Sequence, residues 1–301
     1  MAGTTQATVA VATPAFAKRK ARALIGWLPE QEGALWISGR QMQLVPDPAH
    51  IGLCQSARAL VAARPVGLDQ TGFAVDVPTV LHDHIGSIRA HPWSAQALLD
   101  AGEPRLVDLR KIRAVQPVIH VEDAIKRVES ISAADLLGIA RVTLPIPPPT
   151  PPELPAAFDP VKQTHIFSSA NPNLRVLGHF SGIPIQGPGG VVVLGFGFIV
   201  AQTISYLCVG GVNGRYFLRD GYHRAYGLLK AGVTHAPALV RDFGSVEEAK
   251  LPTGMLPVEA FMGDRPPTLE DYLDDAVGVD TFAPLTTKMI VIQALKLTPL
   301  N

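Results

Sequence analysis

The segment from Ile204 to Phe243 constrains the fold most, because turn residues divide it into short elements. Gly210 to Gly214, GGVNG, contains the residue types that take the positive φ angles of tight turns. Apolar residues precede this turn as far back as Val191, and Arg215 to Leu218 follows it with strand character. The segment therefore predicts a strand, a tight turn and a partner strand.

A helix is predicted directly after this hairpin. Asp220 is a good N-cap, and Tyr222 to Ala231 is expected to be helical. Gly232 is the residue type that commonly ends a helix, because it adopts a left-handed conformation without strain. Val233 to Val240 then predicts another strand.

Apolar spacing and turn residues predict further elements elsewhere in the chain. The predicted helices are Ala21 to Leu28, Ser56 to Ala63, one or two within Pro78 to Leu99 with an interruption at Pro92, Val121 to Val128, and one starting at the capping signature of Thr268 to Asp271. The predicted strands are Ala34 to Val45, Leu106 to Leu109, Leu174 to Phe180, Val191 to Val209 (after the break Gly187 to Gly190) and Met289 to Leu295.

Two segments together resemble the ParB/sulfiredoxin superfamily. Arg215 to Val233, RYFLRDGYHRAYGLLKAGV, is similar to its signature of a strand, Gly-x-His-Arg, a helix ending in Gly, and a second strand. Val107 to Pro117, VDLRKIRAVQP, resembles its opening strand and Gln-Pro break, and the helix from Val121 follows in the expected order. The resemblance implies an α+β fold with a mixed sheet and flanking helices, plus an N-terminal extension and a long insertion.

This resemblance implies a division of the chain into four parts. We expect a disordered lead at 1–20, a mixed N-terminal extension at 21–103, a ParB/sulfiredoxin-like core at 104–243 with a Pro-rich insertion at 132–198, and a C-terminal extension at 244–301. Within the insertion, Pro145 to Pro155 predicts an extended polyproline linker or surface arm, because so many prolines exclude helix and central strand.

The start of the predicted helix at Tyr222 is the candidate site. A helix N-terminus presents unpaired N–H groups and a partial positive charge. Gly221 allows close approach to the backbone, Arg224 adds a bidentate donor, and His223 adds a titratable one. This combination favours an anion such as a nucleotide phosphate, although Asp220 would repel a bare phosphate unless Mg²⁺ or a hydroxyl contact intervenes.

The resemblance points to the same ligand class. ParB relatives bind CTP, sulfiredoxin uses ATP, and related free serine kinases use ADP or ATP, so ATP or CTP with Mg²⁺ is the implied cofactor. The implied activity, if the protein is an enzyme, is that of a nucleotide-dependent phosphotransferase or hydrolase. The residues predicted to bind nucleotide or phosphate are Asp220, Gly221, Tyr222, His223, Arg224 and Gln116, and the predicted catalytic residues are His223 and Glu122.

The sequence departs from the superfamily's known activities. Tyr222 stands where sulfiredoxin has its catalytic cysteine, which argues against sulfinic-acid reduction. Gln116-Pro117 stands where the serine kinases place an acidic base, with Glu122 and Asp123 nearby. Residues 244–287 contain prolines and acidic clusters where ParB has a helix-turn-helix region, so a partition protein fits poorly.

Composition limits the partners. Lys+Arg and Asp+Glu are equal at 26 each, whereas DNA-binding domains usually have a basic excess, so DNA is not favoured. Val191 to Gly211 is very hydrophobic, but its Val, Ile, Phe and Gly content suits buried strands better than a membrane helix.

The cysteines and histidines indicate the setting and the metal content. Cys54 and Cys208 suit a reducing, cytoplasmic setting. No metal site is predicted, since His82 and His84 are only two residues apart.

Two alternative functions stay open from the sequence. The first is a non-catalytic regulatory or interaction protein, in which the Pro-rich arm and the apolar residues around position 190 form an interface, including that of a homo-oligomer. The second is a DNA-binding or nuclease protein of the ParB-like family.

Overall fold

The computed structural model describes residues 18–39, 45–148, 153–154, 156–169, 171, 173–284 and 287–293. Helices and strands occur together in them, so the predicted α+β class is confirmed. The helices are α1 Glu30–Ile37, α2 Pro48–Ala63, α3 His82–Ala90, α4 Pro92–Ala101, α5 Val121–Lys126, α6 Leu136–Thr143, α7 Tyr222–Lys230 and α8 Val258–Met262. The strands are β1 Lys18–Ala23, β2 Ala74–Val75, β3 Glu103–Asp108, β4 Val118–His120, β5 Ala156–Asp159, β6 Thr164–Ser169, β7 Leu174–Gln186, β8 Val192–Gln202, β9 Cys208–Val212, β10 Arg215–Asp220, β11 His235–Asp242, β12 Val279–Pro284 and β13 Lys288–Gln293.

A five-stranded mixed sheet forms the centre of the main core, with the strand order β10-β9-β11-β3-β2. β9 and β11 run parallel, while the neighbouring pairs are antiparallel. The connection between the two parallel strands contains β10 and then α7, which buries one face against this core through Ala225, Leu228 and Leu229. The predicted order strand, turn, strand, helix and strand is therefore present.

Local turn and cap signals were sufficient to place several boundaries. Asn213 and Gly214 have φ of 51° and 72°, as the predicted tight turn between β9 and β10 requires. Gly232 follows α7 with φ of 82°. Thr268 and Asp271 form a reciprocal capping box, although the helix they start is a short 3₁₀ turn from Leu269 to Tyr272.

The prediction of a helix at Ala21 to Leu28 was wrong. β1 occupies Lys18–Ala23 instead, between β12 and β4 in a three-stranded antiparallel sheet. Its partners lie about 100 and 250 residues further along the chain, so tertiary pairing overrides the local helical character of this alanine-rich segment. Of the predicted disordered lead, 1–17 lie outside the described residues, and Lys18 to Lys20 belong to β1.

The prediction of strands at Ala34 to Val45 was also wrong in its first part. α1 covers Glu30–Ile37, with two glutamates in its first turn and Ala34 fully buried near α2. Acidic residues at a helix start interact favourably with its dipole, a signal that outweighed the short apolar alternation. The rest of that prediction falls largely on 40–44, outside the described residues, as do 149–152 and 155 of the proline-rich segment.

The predicted insertion at 132–198 contains elements of two kinds. α6 packs into the body of the protein, where Ile139 is 2% exposed. β5 and β6 form a separate three-stranded sheet with β13, and β7 and β8 form a two-stranded hairpin. The predicted strand at Met289 to Leu295 is β13 as far as Gln293, beyond which the chain lies outside the described residues.

The expectation that the hydrophobic segment from Val191 forms buried strands was half right. β9, at the end of this segment, is buried throughout. β8 is also a strand, but its side chains are exposed or half-exposed, as are those of β7 after Leu174. The apolar residues of this hairpin therefore do not contribute to the core. Separately, no helix in the described ranges has the length and apolar character needed to cross a membrane.

Candidate functional site

α7 begins at a sharp change in chain direction. β10 ends in a bulge between Leu218 and Asp220, and Gly221 follows with φ of 94° as the N-cap of α7. The prediction that Asp220 is the N-cap was wrong by one residue, because the positive φ is needed at the glycine. Asp220 instead accepts a hydrogen bond from the backbone N–H of Gly221 at 2.6 Å.

Gly221 packs against the protein's own chain. A Cβ at this position would lie 2.6 Å from Leu207 Cδ1 and 3.1 Å from Leu207 Cα. The absence of a side chain therefore allows the segment before β9 to approach α7 closely. The space that the sequence suggested for an incoming phosphate is filled by Leu207.

Arg224 is 4% exposed, and its guanidinium holds this closed arrangement together. Its Nη1 donates to the carbonyl oxygens of Ser205 at 2.6 Å and of Val142 at 3.2 Å, and Nη2 donates to Ser205 Oγ at 2.7 Å. Val142 lies near the C-terminal end of α6, where carbonyl groups are free to accept hydrogen bonds. Burial lowers the pKa of Arg224, and the nearby charge of Asp220 partly opposes that effect.

Ser205 connects Arg224 to Asp220. Its hydroxyl donates to Asp220 Oδ2 at 2.8 Å while accepting from the guanidinium. The two charged side chains are thus linked through one hydroxyl rather than by a direct ion pair. Asp220 itself is exposed, and both of its carboxylate oxygens accept hydrogen bonds from within the chain.

Tyr222 faces the core. It is 5% exposed, and its hydroxyl donates to the carbonyl oxygen of Leu218. Burial raises the pKa of this phenol well above its usual value. Tyr222 therefore supports the turn and offers no free group to a ligand.

His223 is partly open to solvent. Its ring stacks on that of His120, with centroids 5.2 Å apart and planes inclined by 17°. His120 ends β4, immediately before α5. α5 and α7 pack closely together, since a Cβ added at Gly227 of α7 would lie 2.5 Å from the carbonyl oxygen of Ala124 on α5. Two helix starts therefore bring the two imidazoles together.

Both histidines have a buried ring nitrogen without a hydrogen-bond partner, Nδ1 in His120 and Nε2 in His223. The Nε atoms of Arg19 and Arg224 are unpartnered as well. A buried polar atom without a partner costs about 1–3 kcal/mol, so buried groups of this kind are usually satisfied by a water or a ligand. In the described residues, four of the five buried side-chain nitrogens without a partner belong to these two histidines and two arginines.

The charges around the pair are mostly positive. Burial lowers the pKa of His223 to about 3, assisted by His120 and by Arg127, Arg19 and Arg224. Burial also lowers the pKa of His120 to about 4, with Arg19 adding to the effect and Asp123 opposing it. Arg19 and Asp123 form an ion pair, so their charges largely cancel, and Arg127 and Arg224 supply the remaining positive charge near His223. Both imidazoles are therefore neutral at pH 7 in an environment that favours negative charge.

The other two predicted site residues lie nearby in sequence but are engaged differently. The side-chain amide of Gln116 donates to the carbonyl oxygen of Val118 at 2.7 Å, and the backbone carbonyl oxygen of Gln116 accepts from the hydroxyl of Tyr272. Glu122 is exposed in the first turn of α5. His120 and Arg19 were not predicted to lie at the site. Neither has a sequence motif around it, and both are far from His223 along the chain, so their proximity depends on the tertiary fold.

Two cavities lie elsewhere in the described chain. A shallow cavity of about 460 Å³ lies beside Arg113 and Arg215, and one of about 390 Å³ lies between β6 and the β7–β8 hairpin. Neither is lined by residues of α7. No group of three or more His, Cys, Asp or Glu side chains in the described ranges is arranged to hold a metal ion.

Comparison with known proteins gives no identification. No protein family, curated protein or solved structure matches the chain significantly.

Proposed function

We propose that the protein binds a small anionic ligand, a nucleotide or another phosphorylated molecule, over the stacked pair of His120 and His223. The observation that carries this proposal is the coincidence of unpartnered nitrogens with local positive charge. His120 and His223 are both half-buried residues, and the ring of each holds a buried nitrogen that lacks a partner. Phosphate oxygens would accept hydrogen bonds from these rings and from the arginines around them.

The proposed position differs from the one that the sequence motif favoured. Arg224 and Gly221 are internal, so they shape the site from behind, and the ligand contacts would come from His223, His120 and the side chains of Arg19 and Arg127. The relationship to the ParB/sulfiredoxin superfamily stays part of the proposal. It makes ATP, ADP and CTP, with and without Mg²⁺, the first ligands to try.

Binding is better supported than catalysis. A general base works best with a pKa near the operating pH, whereas the pKa of His223 is about 3. Glu122 is exposed in the first turn of α5. A phosphotransferase or hydrolase would need one of these groups to change its surroundings on ligand binding. The two free, buried cysteines suit the proposed cytoplasmic setting.

Isothermal titration with ATP, ADP and CTP, with and without Mg²⁺, tests the proposal directly. The variants His223→Asn and His120→Asn remove the rings while leaving short polar side chains. We expect at least a tenfold weaker affinity in each, and no change in the control His82→Asn, which alters an exposed histidine on α3. A folded wild-type protein that binds none of the three nucleotides contradicts the proposal, as does undiminished binding by both variants.

A further inference from the structure

The β7–β8 hairpin is the part of the described chain whose surface least resembles that of a monomeric protein. From Val176 to Gln202 the sequence contains no Asp, Glu, Lys or Arg. Twelve of its large apolar side chains are 37–74% exposed. They are Val176, Leu177, Phe180, Ile183, Ile185, Val191, Val192, Val193, Leu194, Phe196, Phe198 and Ile199.

The size of this surface indicates an interface. A partly exposed large apolar side chain shows on the order of 100 Å² to solvent, so the hairpin exposes about 1,000 Å² of apolar surface. The largest apolar patch on a typical monomer is about 300–600 Å².

Both faces of the hairpin are apolar, and this arrangement cannot be stable in isolation. β8 alternates Leu194, Phe196 and Phe198 on one face with Val193 and Ile199 on the other. The second face also carries Phe180 and Ile185 of β7, which lie over Gly197 and Gly195. A two-stranded sheet is at best marginally stable in water without a further covering layer or strand.

The two outer edges of the hairpin differ. β7 has two bulges and Pro184 in its central part, and both features prevent another strand from pairing. β8 has neither bulge, proline nor charge over its 11 residues. Leu194 is paired with Pro184, which has no N–H to donate, so the two residues form a non-hydrogen-bonded pair of the antiparallel ladder. In such a pair the N–H of Leu194 points away from β7, toward the free edge of β8. Among the described residues, the edge of β8 is therefore open to pairing.

We propose that the β8 edges of two copies of this chain pair antiparallel about a twofold axis, which forms a continuous four-stranded sheet β7-β8-β8-β7. A second copy is the partner that this edge fits, because an uncharged apolar strand is complementary to its own antiparallel copy and offers no ion pair to a charged partner. Insertion of the hairpin into lipid is the competing arrangement. It would leave the backbone groups of both edges unsatisfied in hydrocarbon.

The mass of the full-length protein in solution, measured by light scattering across a range of concentrations, tests the proposal. The wild type is expected to reach twice the mass of one chain. Leu194→Pro removes the outward N–H while retaining the ladder to β7, and Leu194→Lys places a charge on the edge. Each variant should raise the dimer dissociation constant at least tenfold. The control Leu99→Lys, at a 72% exposed leucine on α4, should leave it unchanged.

Three outcomes would overturn the proposal of a β8-paired dimer. A monomeric wild type does so, and so does a dimer that persists in both Leu194 variants. Flotation of the wild type with phosphatidylcholine vesicles, without dimers in their absence, would assign the hairpin to a lipid surface instead. Far-UV circular dichroism and unchanged urea midpoints of the monomeric variants establish that the loss of association does not come from unfolding.

Discussion

At the scale of single residues, the sequence marked the correct segment but not the roles of its side chains. Gly221 and Arg224 were expected to face a ligand, yet both are used to close the structure, on Leu207 and on Ser205. The partners of Arg224 are supplied by α6 and by the segment before β9. No local pattern specifies such contacts, because they depend on how separate segments pack together.

Because its pKa is lowered in the folded protein, His223 should reduce the free energy of unfolding as the pH falls. An unfolded histidine has a pKa near 6.5, whereas the pKa of folded His223 is about 3. Its contribution is therefore fully present above pH 6.5 and decreases as the pH falls toward 3, because the unfolded chain takes up the proton first. Between pH 8 and pH 5 the free energy of unfolding should fall by about 2 kcal/mol less in His223→Asn than in the wild type. Urea unfolding at both pH values measures this difference, and equal losses in the two proteins would contradict the assigned pKa.

The same pair gives a spectroscopic test of ligand binding. A bound phosphate places negative charge beside the rings and favours their protonated forms, so the pKa values of His120 and His223 should rise on binding. Titration of the histidine C–H resonances by NMR, with and without a nucleotide, measures the shift. The resonance of exposed His82 is the internal reference, and a nucleotide that shifts it as much as His223 would indicate non-specific binding.

Arg224 should be required for stability. The guanidinium of Arg224 donates hydrogen bonds to the carbonyl oxygens of both Ser205 and Val142, and lysine lacks this planar group of donors. Arg224→Lys should therefore lower the free energy of unfolding by about 2–4 kcal/mol. Arg89→Lys is the matched control, since Arg89 is exposed and pairs with exposed Glu103. It should cost less than about 1 kcal/mol. Urea midpoints that fall equally in both variants would show that the buried contacts contribute little.

At the scale of elements, the sequence predicted best where a local signal sufficed. The Asn213-Gly214 turn, Gly232 and the capping box at Thr268 were identifiable because each depends on a few adjacent residues. β1 was not, because its strand conformation comes from partners distant in sequence. For the site, the start of α7 was predictable, whereas the contribution of His120 required knowledge of how α5 lies against α7.

The start of α7 provides a test of why Gly221 is needed. Gly221→Ala combines a positive φ with a clash against Leu207, whereas Gly232→Ala has a similar φ and open space around it. The left-handed conformation costs alanine about 1–2 kcal/mol at either site. Overpacking adds about 1–3 kcal/mol at Gly221 alone. Thermal unfolding should therefore rank Gly221→Ala as clearly less stable than Gly232→Ala, and equal values would show that Leu207 moves aside freely.

At the scale of the whole molecule, the core and the β7–β8 hairpin are built on different principles. The core buries its apolar residues around the five-stranded sheet. In β7 and β8, by contrast, one side chain is buried, that of Leu174. Replacement of Leu177 to Ile199 by an Asn-Gly turn, joining the paired residues Val176 and Val200, should change the unfolding free energy of the monomer by less than about 1 kcal/mol. A larger loss in urea titration would show that the hairpin supports the core.

The position of β1 between β4 and β12 has a consequence for biosynthesis. Arg22 on β1 bonds to Asp280 on β12, 258 residues further along the chain. At a ribosomal speed of about 5–20 residues per second, β1 waits roughly 13–50 seconds before its second neighbour has been translated. During that interval one side of the nascent strand has no native partner, so it is a natural place for a chaperone to bind until translation reaches the far end.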